Sequence, residues 1–205
     1  MDTQRAAREL TVIRQLMERP IRYSTMSGAS GVLAGLAALG GCAADWCVSR
    51  AYPPESAFWI NAGVWGAVLA VALAGTLILT RIREVRQGMP FWSSIKKRIL
   101  LTILPPFLAG VGLTVAIAAR WYAGCGPNEW GLIPALWMTF YAVALWQVGD
   151  FAPIDVRVLS VFFLVSGIVA ALAFQDRLDP YWSLGVTFGG YHIVYGTAVW
   201  IRHGG

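Results

Sequence analysis

Charge is what this chain has least of. Its 205 residues include 16 Lys and Arg, 11 Asp and Glu and two His, so 13% are charged and 57% are apolar. An ordinary soluble domain carries about 25% charge. The scarcity is also uneven, because six apolar runs fill most of the chain and His192 is the one ionisable side chain well inside a run. Chemistry that needs several charged groups in one place is short of material. There is no GxxxxGK[ST] phosphate loop, no HExxH and no pair of carboxylates within the runs. A proton pump buries acidic groups along its path, and this pattern does not. The three cysteines include no CxxC, which speaks against a thiolate metal site, even one completed by Asp45. No connecting segment is long enough for a separate soluble enzyme domain, and no cofactor is expected.

What is present is long apolar sequence. The runs cover roughly residues 26–48, 57–80, 99–119, 131–149, 156–174 and 181–201. Each is long enough to cross a hydrocarbon core of about 30 Å as a helix rising 1.5 Å per residue. The runs are continuous rather than alternating, which excludes the strands of a β-barrel. The expected fold is all-α: a polytopic bundle of six transmembrane helices over residues 23–205, preceded by a cytoplasmic segment, 1–22.

Orientation follows from the cations. Arg5, Arg8, Arg14, Arg19 and Arg22 precede the first run, Arg81, Arg83, Arg86, Lys96, Lys97 and Arg98 follow the second, and Arg157 and Arg202 lie on the same side. Only Arg50, Arg120 and Arg177 fall opposite. Positive residues stay in the cytoplasm, so both termini are expected there. The net charge of +5 then matches anionic lipid headgroups rather than nucleic acid. The first 25 residues have no apolar core of the kind a cleaved signal peptide needs, so the first run is the expected insertion signal. Within them, Leu10, Ile13, Leu16 and Met17 recur at helical spacing with Arg8, Arg14, Glu18 and Arg19 on other faces and Pro20 as a stop. Residues 3–19 therefore read as an amphipathic helix that lies on the inner leaflet or, alternatively, docks a cytoplasmic partner.

Tryptophan marks the boundaries. Trp46, Trp59, Trp121, Trp130 and Trp182 fall at outer ends and Trp92, Trp146 and Trp200 near inner ends, leaving Trp65 and Trp137 as deeper packing residues. Each outer loop combines Arg, Pro, an acid and Trp, with a glycine ten residues before the Arg at Gly40, Gly110 and Gly167. Three hairpins related by a parallel repeat would produce this; coincidence among apolar sequences is the simpler account. Cys42, Cys47 and Cys125 are all placed near the outer surface, where Cys47 and Cys125 are candidates for a disulfide in an oxidising compartment; free thiols are the other reading.

Two runs carry small residues at fourfold spacing: Ser27, Gly31 and Gly35 in the first, Gly185 and Gly189 in the sixth. Such faces let backbones approach closely in lipid, within the bundle or between protomers of a homo-oligomer. Pro105 and Pro106 early in the third run are expected to bend it.

His192 is the residue most like a functional site, set in GGYHIVYG with Tyr191 beside it and Tyr195 one turn away. His203, at the C-terminal tip, is poorly placed as a second haem ligand. A neutral histidine bonded to a neighbouring helix is the favoured reading. Gly28 to Gly31 spell GxSG, and Ser30 with a later histidine resembles the rhomboid protease pattern. Here the serine precedes the histidine by five runs and fits the packing face, so an intramembrane protease is disfavoured. Asn61, Gln147, Tyr141, Tyr191 and Tyr195 are the polar positions from which a solute path would be built.

Residues 133–172, IPALWMTFYAVALWQVGDFAPIDVRVLSVFFLVSGIVAAL, and 188–205, FGGYHIVYGTAVWIRHGG, resemble a set of uncharacterised small bacterial six-span proteins. The resemblance implies a bacterial source and residence in the inner membrane, and brings no activity with it. The expectation is an integral inner-membrane protein of structural or partner-regulating type, not an enzyme, whose partners are the bilayer, itself or a cytoplasmic protein. The alternative is a transporter or channel for a small neutral or amphipathic solute.

Overall fold

The computed structural model describes residues 27–86, 88, 94–125, 129–173 and 180–203. The expected helix over 3–19 lies outside them. The described residues are all-helical with no strand: α1 (Gly28–Ala51), α2 (Pro54–Arg86), α3 (Ser94–Tyr122), α4 (Leu132–Val148), α5 (Ile154–Ala173), the short α6 (Pro180–Leu184), a π-helical segment (Gly185–Tyr191) and α7 (His192–His203). Four helices, Gly28–Ala51, Pro54–Arg86, Lys96–Tyr122 and Ile154–Ala173, are long and apolar enough to cross a membrane. Leu132–Val148 is apolar but shorter, at 17 residues. Helices of this length and composition make a multi-pass membrane protein.

Local sequence explains the boundaries. Pro54 and Pro180 open their helices at the first position, where the missing N–H costs nothing. Gly124, at φ 65°, ends α3: Cys125 N–H donates to Arg120 O (2.9 Å) and Gly124 N–H to Trp121 O (3.0 Å). This is a Schellman closure that an L side chain at that φ would strain. The helix runs through Pro105 and Pro106 without ending. Between α4 and α5 the chain reverses in a few residues around Gly149, whose amide bonds Leu145 O at 2.9 Å. That tight turn lays the two helices antiparallel.

Packing uses small residues, as it must where lipid is as apolar as the side chains. The small faces read from the sequence meet each other inside the bundle, α1 against the π segment and α7. A Cβ at Gly31 would lie 2.9 Å from Gly196 Cα, and one at Gly35 would lie 2.7 Å from Gly189 O. Ser27 is buried at the start of this seam, while Gly185 stands at its looser end, 3.8 Å from Cys42 Sγ by the same measure. The other half of the bundle centres on α4, which packs on α3 and most extensively on α5. There Met138 and Phe163 are fully buried with Ala142 and Leu159, and Val148, Ala152 and Val156 form a second cluster.

This arrangement does not make three equivalent hairpins. α1 pairs with α2 and α3 with α4, but α5 packs chiefly on α4, and the sixth apolar helix, made of α6, the π segment and α7 (Pro180–His203), packs on α1. The three matching glycines also differ: Gly40 faces open space, Gly110 packs on Trp137 and Gly167 on Thr139.

The two ends differ in chemistry. At one, Lys96 Nζ meets Glu84 Oε2 at 2.6 Å, Arg202 meets Asp155 at 3.1 Å, and Arg157 pairs with Asp150. At the other, Trp59 stacks on Tyr122 at 6.0 Å, Phe58 lies against Trp130 at 4.7 Å, and Tyr122 O–H donates to Glu55 O.

Candidate functional site

The polar side chains of the interior gather in two places. The first surrounds His192. Its Nε2 lies 2.7 Å from Tyr141 Oη of α4. Its ring stacks on Phe188 at 6.1 Å and meets Phe163 edge-on at 5.5 Å. Tyr191, the preceding residue, bonds Ser166 of α5 through its hydroxyl at 2.9 Å. Tyr195 packs against both buried clusters, between the His192 level and the basic end. Three of the polar positions singled out in the sequence, Tyr141, Tyr191 and Tyr195, pack against one buried cluster, and of these Tyr141 meets His192.

The π segment positions this group. It ends at Tyr191, so Phe188, Tyr191 and His192 all reach α4 and α5 from one stretch of helix. His192 Nδ1 is buried and makes no regular hydrogen bond. Tyr141 Oη and His192 Nε2 share one hydrogen bond, whose direction follows the imidazole tautomer. A histidine among aromatic rings, hydrogen-bonded to a tyrosine of α4, joins the sixth run to α4.

The second place is between α1 and α2. Trp65 Nε1–H donates to Asp45 Oδ2 at 2.9 Å, and Asn61 Nδ2–H donates to Ser49 Oγ at 3.0 Å. Asp45 is only 4% exposed. It lies near the end of the first run, but α1 continues to Ala51 and turns Asp45 onto α2. Trp65, read as packing alone, is its hydrogen-bond donor. Asn61 therefore does not join the His192 group, and Gln147 lies exposed on α4.

Other candidates separate. Ser30 Oγ donates to Ser27 O at 2.6 Å within its own helix, while His192 Nε2 is engaged by Tyr141, so the two form no dyad. Cys47 and Cys125 are free and exposed, and Cys42 is free and buried. Among the described residues no three His, Cys, Asp or Glu side chains assemble as a metal would require. A lateral groove of about 220 Å³ lies between α4 and α5, lined by Leu132, Leu136, Thr139, Gly167, Ile168 and Leu172 among others; none of the His192 group lines it.

Sequence reasoning missed Ser166 and the buried Glu84, 1% exposed. Ser166 carries no signal in an apolar run, and Glu84 sits in a string of charges that reads as solvated. Comparison with protein-family models, curated proteins and solved structures finds no match to this chain.

Proposed function

We propose that the chain is a six-span protein of the bacterial inner membrane, with both termini in the cytoplasm, that acts as a structural or partner-regulating component rather than as an enzyme. Six spans are supported by the run from Pro180 to His203, which is helical throughout once its π segment is included, and by the apolar Leu132–Val148. The orientation rests on the basic end, where 13 of the 16 Lys and Arg would gather. The bacterial source rests on the resemblance of residues 133–172 and 188–205.

One observation carries the functional reading: interior polar side chains are engaged across helix boundaries. Tyr141 with His192, Ser166 with Tyr191, Trp137 Nε1–H with Thr114 Oγ1 (3.1 Å), Ser160 Oγ with Ala142 O (2.9 Å) and Trp65 with Asp45 each join two helices. Groups used in this way hold a bundle together. Regulation of a partner would fall to the basic cytoplasmic side and residues 3–19. Affinity purification of the full chain and of a form lacking residues 1–22 tests this, and an unchanged partner set would contradict the docking role.

The second reading, a transporter or channel for a small neutral or amphipathic solute, is favoured by the gathering of Tyr141, Tyr191 and Tyr195 around the buried cluster that His192 joins through Phe163. Solute flux into vesicles that is lost with Tyr141→Phe or Tyr191→Phe would support it over the first.

A further inference from the structure

The bundle has two halves that differ in how they are joined. Within each, backbones approach closely: α1 with α2 and with the sixth apolar helix, α4 with α3 and α5. Between them, the sixth helix reaches α4 and α5 through side chains, namely Phe188, Tyr191, His192 and Arg202. That helix therefore serves two partners. Its glycine edge lies on α1 and its aromatic edge on the other half, and the π segment stands between α6 and α7.

We propose that the π segment is a conformational switch: Gly185–Tyr191 rewinds between π and α hydrogen bonding, and the rewinding turns Pro180–Tyr191 about α7 and detaches Tyr191 from Ser166. The two ends of the seam decide which part turns. At Gly196 the three nearest atoms to an added Cβ are all backbone, the closest 2.5 Å away, so α7 is clamped to α1. Gly189 still meets α1 backbone, since a Cβ at Gly35 would lie 2.7 Å from Gly189 O, but at Gly185 nothing comes closer than 3.8 Å, so the hold on α1 loosens toward the outer end of the helix. His192, at the junction, keeps Tyr141 as a pivot.

Three features poise the segment. Helices with i→i+5 bonding are rare and depend on their surroundings, and here Tyr191–Ser166 and the Phe188 stack supply them. Gly185, Gly189 and Gly190 bring no Cβ to resist rewinding. The π state also leaves His192 Nδ1 buried without a regular hydrogen bond, and Thr187 Oγ1–H donates back to Ser183 O at 2.7 Å, a bond that loosens helices. The balance then rests on few contacts, and loss of one intramembrane hydrogen bond shifts it about threefold, up to about twentyfold.

The test is amide hydrogen exchange of the full chain in detergent or nanodiscs, wild type against Tyr191→Phe and Ser166→Ala. Exchange over Gly185–Tyr191 is expected to rise about threefold or more while the Ile193–Trp200 amides stay unchanged. A spin-label pair at the exposed positions Val165 and Val186, in a cysteine-free background, reads the rotation, which displaces a side chain by about 8 Å on a helix 10–12 Å across. A new distance in either variant is expected. Exchange that is unaltered, or raised equally along the whole helix, overturns the switch. So does selective exchange without a new distance, which would mean local fraying.

Discussion

The seam between α1 and the sixth helix makes the sharpest stability prediction. A Cβ built on Gly196 would lie 2.5 Å from Val32 N, 2.7 Å from Gly28 O and 2.9 Å from Gly31 C. All three are backbone atoms, which cannot turn aside as a side chain does. Ordinary contact begins at 3.4 Å, so Gly196→Ala must part the two helices by about 0.9 Å, the difference between 3.4 and 2.5. Overpacking of this kind costs about 1–3 kcal/mol, and the rigid neighbours place this case at the upper end. About 3 kcal/mol is roughly a hundredfold in the folding equilibrium. Gly66 on α2 supplies the control, because a Cβ there meets nothing within 4 Å. Gly66→Ala is expected to be neutral or to stabilise by up to about 1 kcal/mol through helix propensity. The assay is reversible unfolding in mixed micelles by titration with SDS, followed by tryptophan fluorescence. Equal midpoints for Gly196→Ala and Gly66→Ala would refute the seam.

Three further outcomes follow from the described contacts. Tyr141→Phe removes the hydroxyl bonded to His192 Nε2 and should cost about 0.6 kcal/mol, at most about 1.7; in a His192→Phe background the same change should cost nothing, as a double-mutant cycle would read. Lys96→Ala takes the ammonium from Glu84, whose side chain is 2% exposed, and should destabilise by about 3 kcal/mol, with Lys96→Arg retaining most of the stability in the same SDS titration. Cys47 and Cys125 are exposed and Cys42 is buried, so an impermeant maleimide should label the first two in intact cells or right-side-out vesicles and spare the third; protection of Cys47 and Cys125 until a reductant is added would show the disulfide instead.

Much of the helical layout was legible in the apolar runs, because continuous apolar sequence bounded by charge has few other folds. Helix ends were less so. The second run was read as 57–80, whereas α2 extends from Pro54 to Arg86, since a helix continues past the hydrocarbon into charged sequence that headgroups solvate. The small faces of the first and sixth runs were visible as spacing. That they meet each other was not, because a single sequence does not specify which helices are neighbours. The same gap hid the partner of His192: Tyr141 was a polar position without an address until α4 was placed beside the sixth helix. Nothing in the letters Gly185 to Tyr191 specifies i→i+5 bonding. The hydrogen bond between Asp45 and Trp65 was hidden for the same reason, since it needs α2 beside α1.

The central claim is that polar groups inside this bundle hold helices together and are not waiting for a ligand. The most direct measurement is the experimental density around His192 for the protein in lipid nanodiscs. The account predicts Tyr141 Oη within hydrogen-bond distance of His192 Nε2, Tyr191 on Ser166, and only protein in the space between Phe163, Phe188 and the imidazole. A non-protein group bonded to either imidazole nitrogen, with Tyr141 turned away, would contradict it.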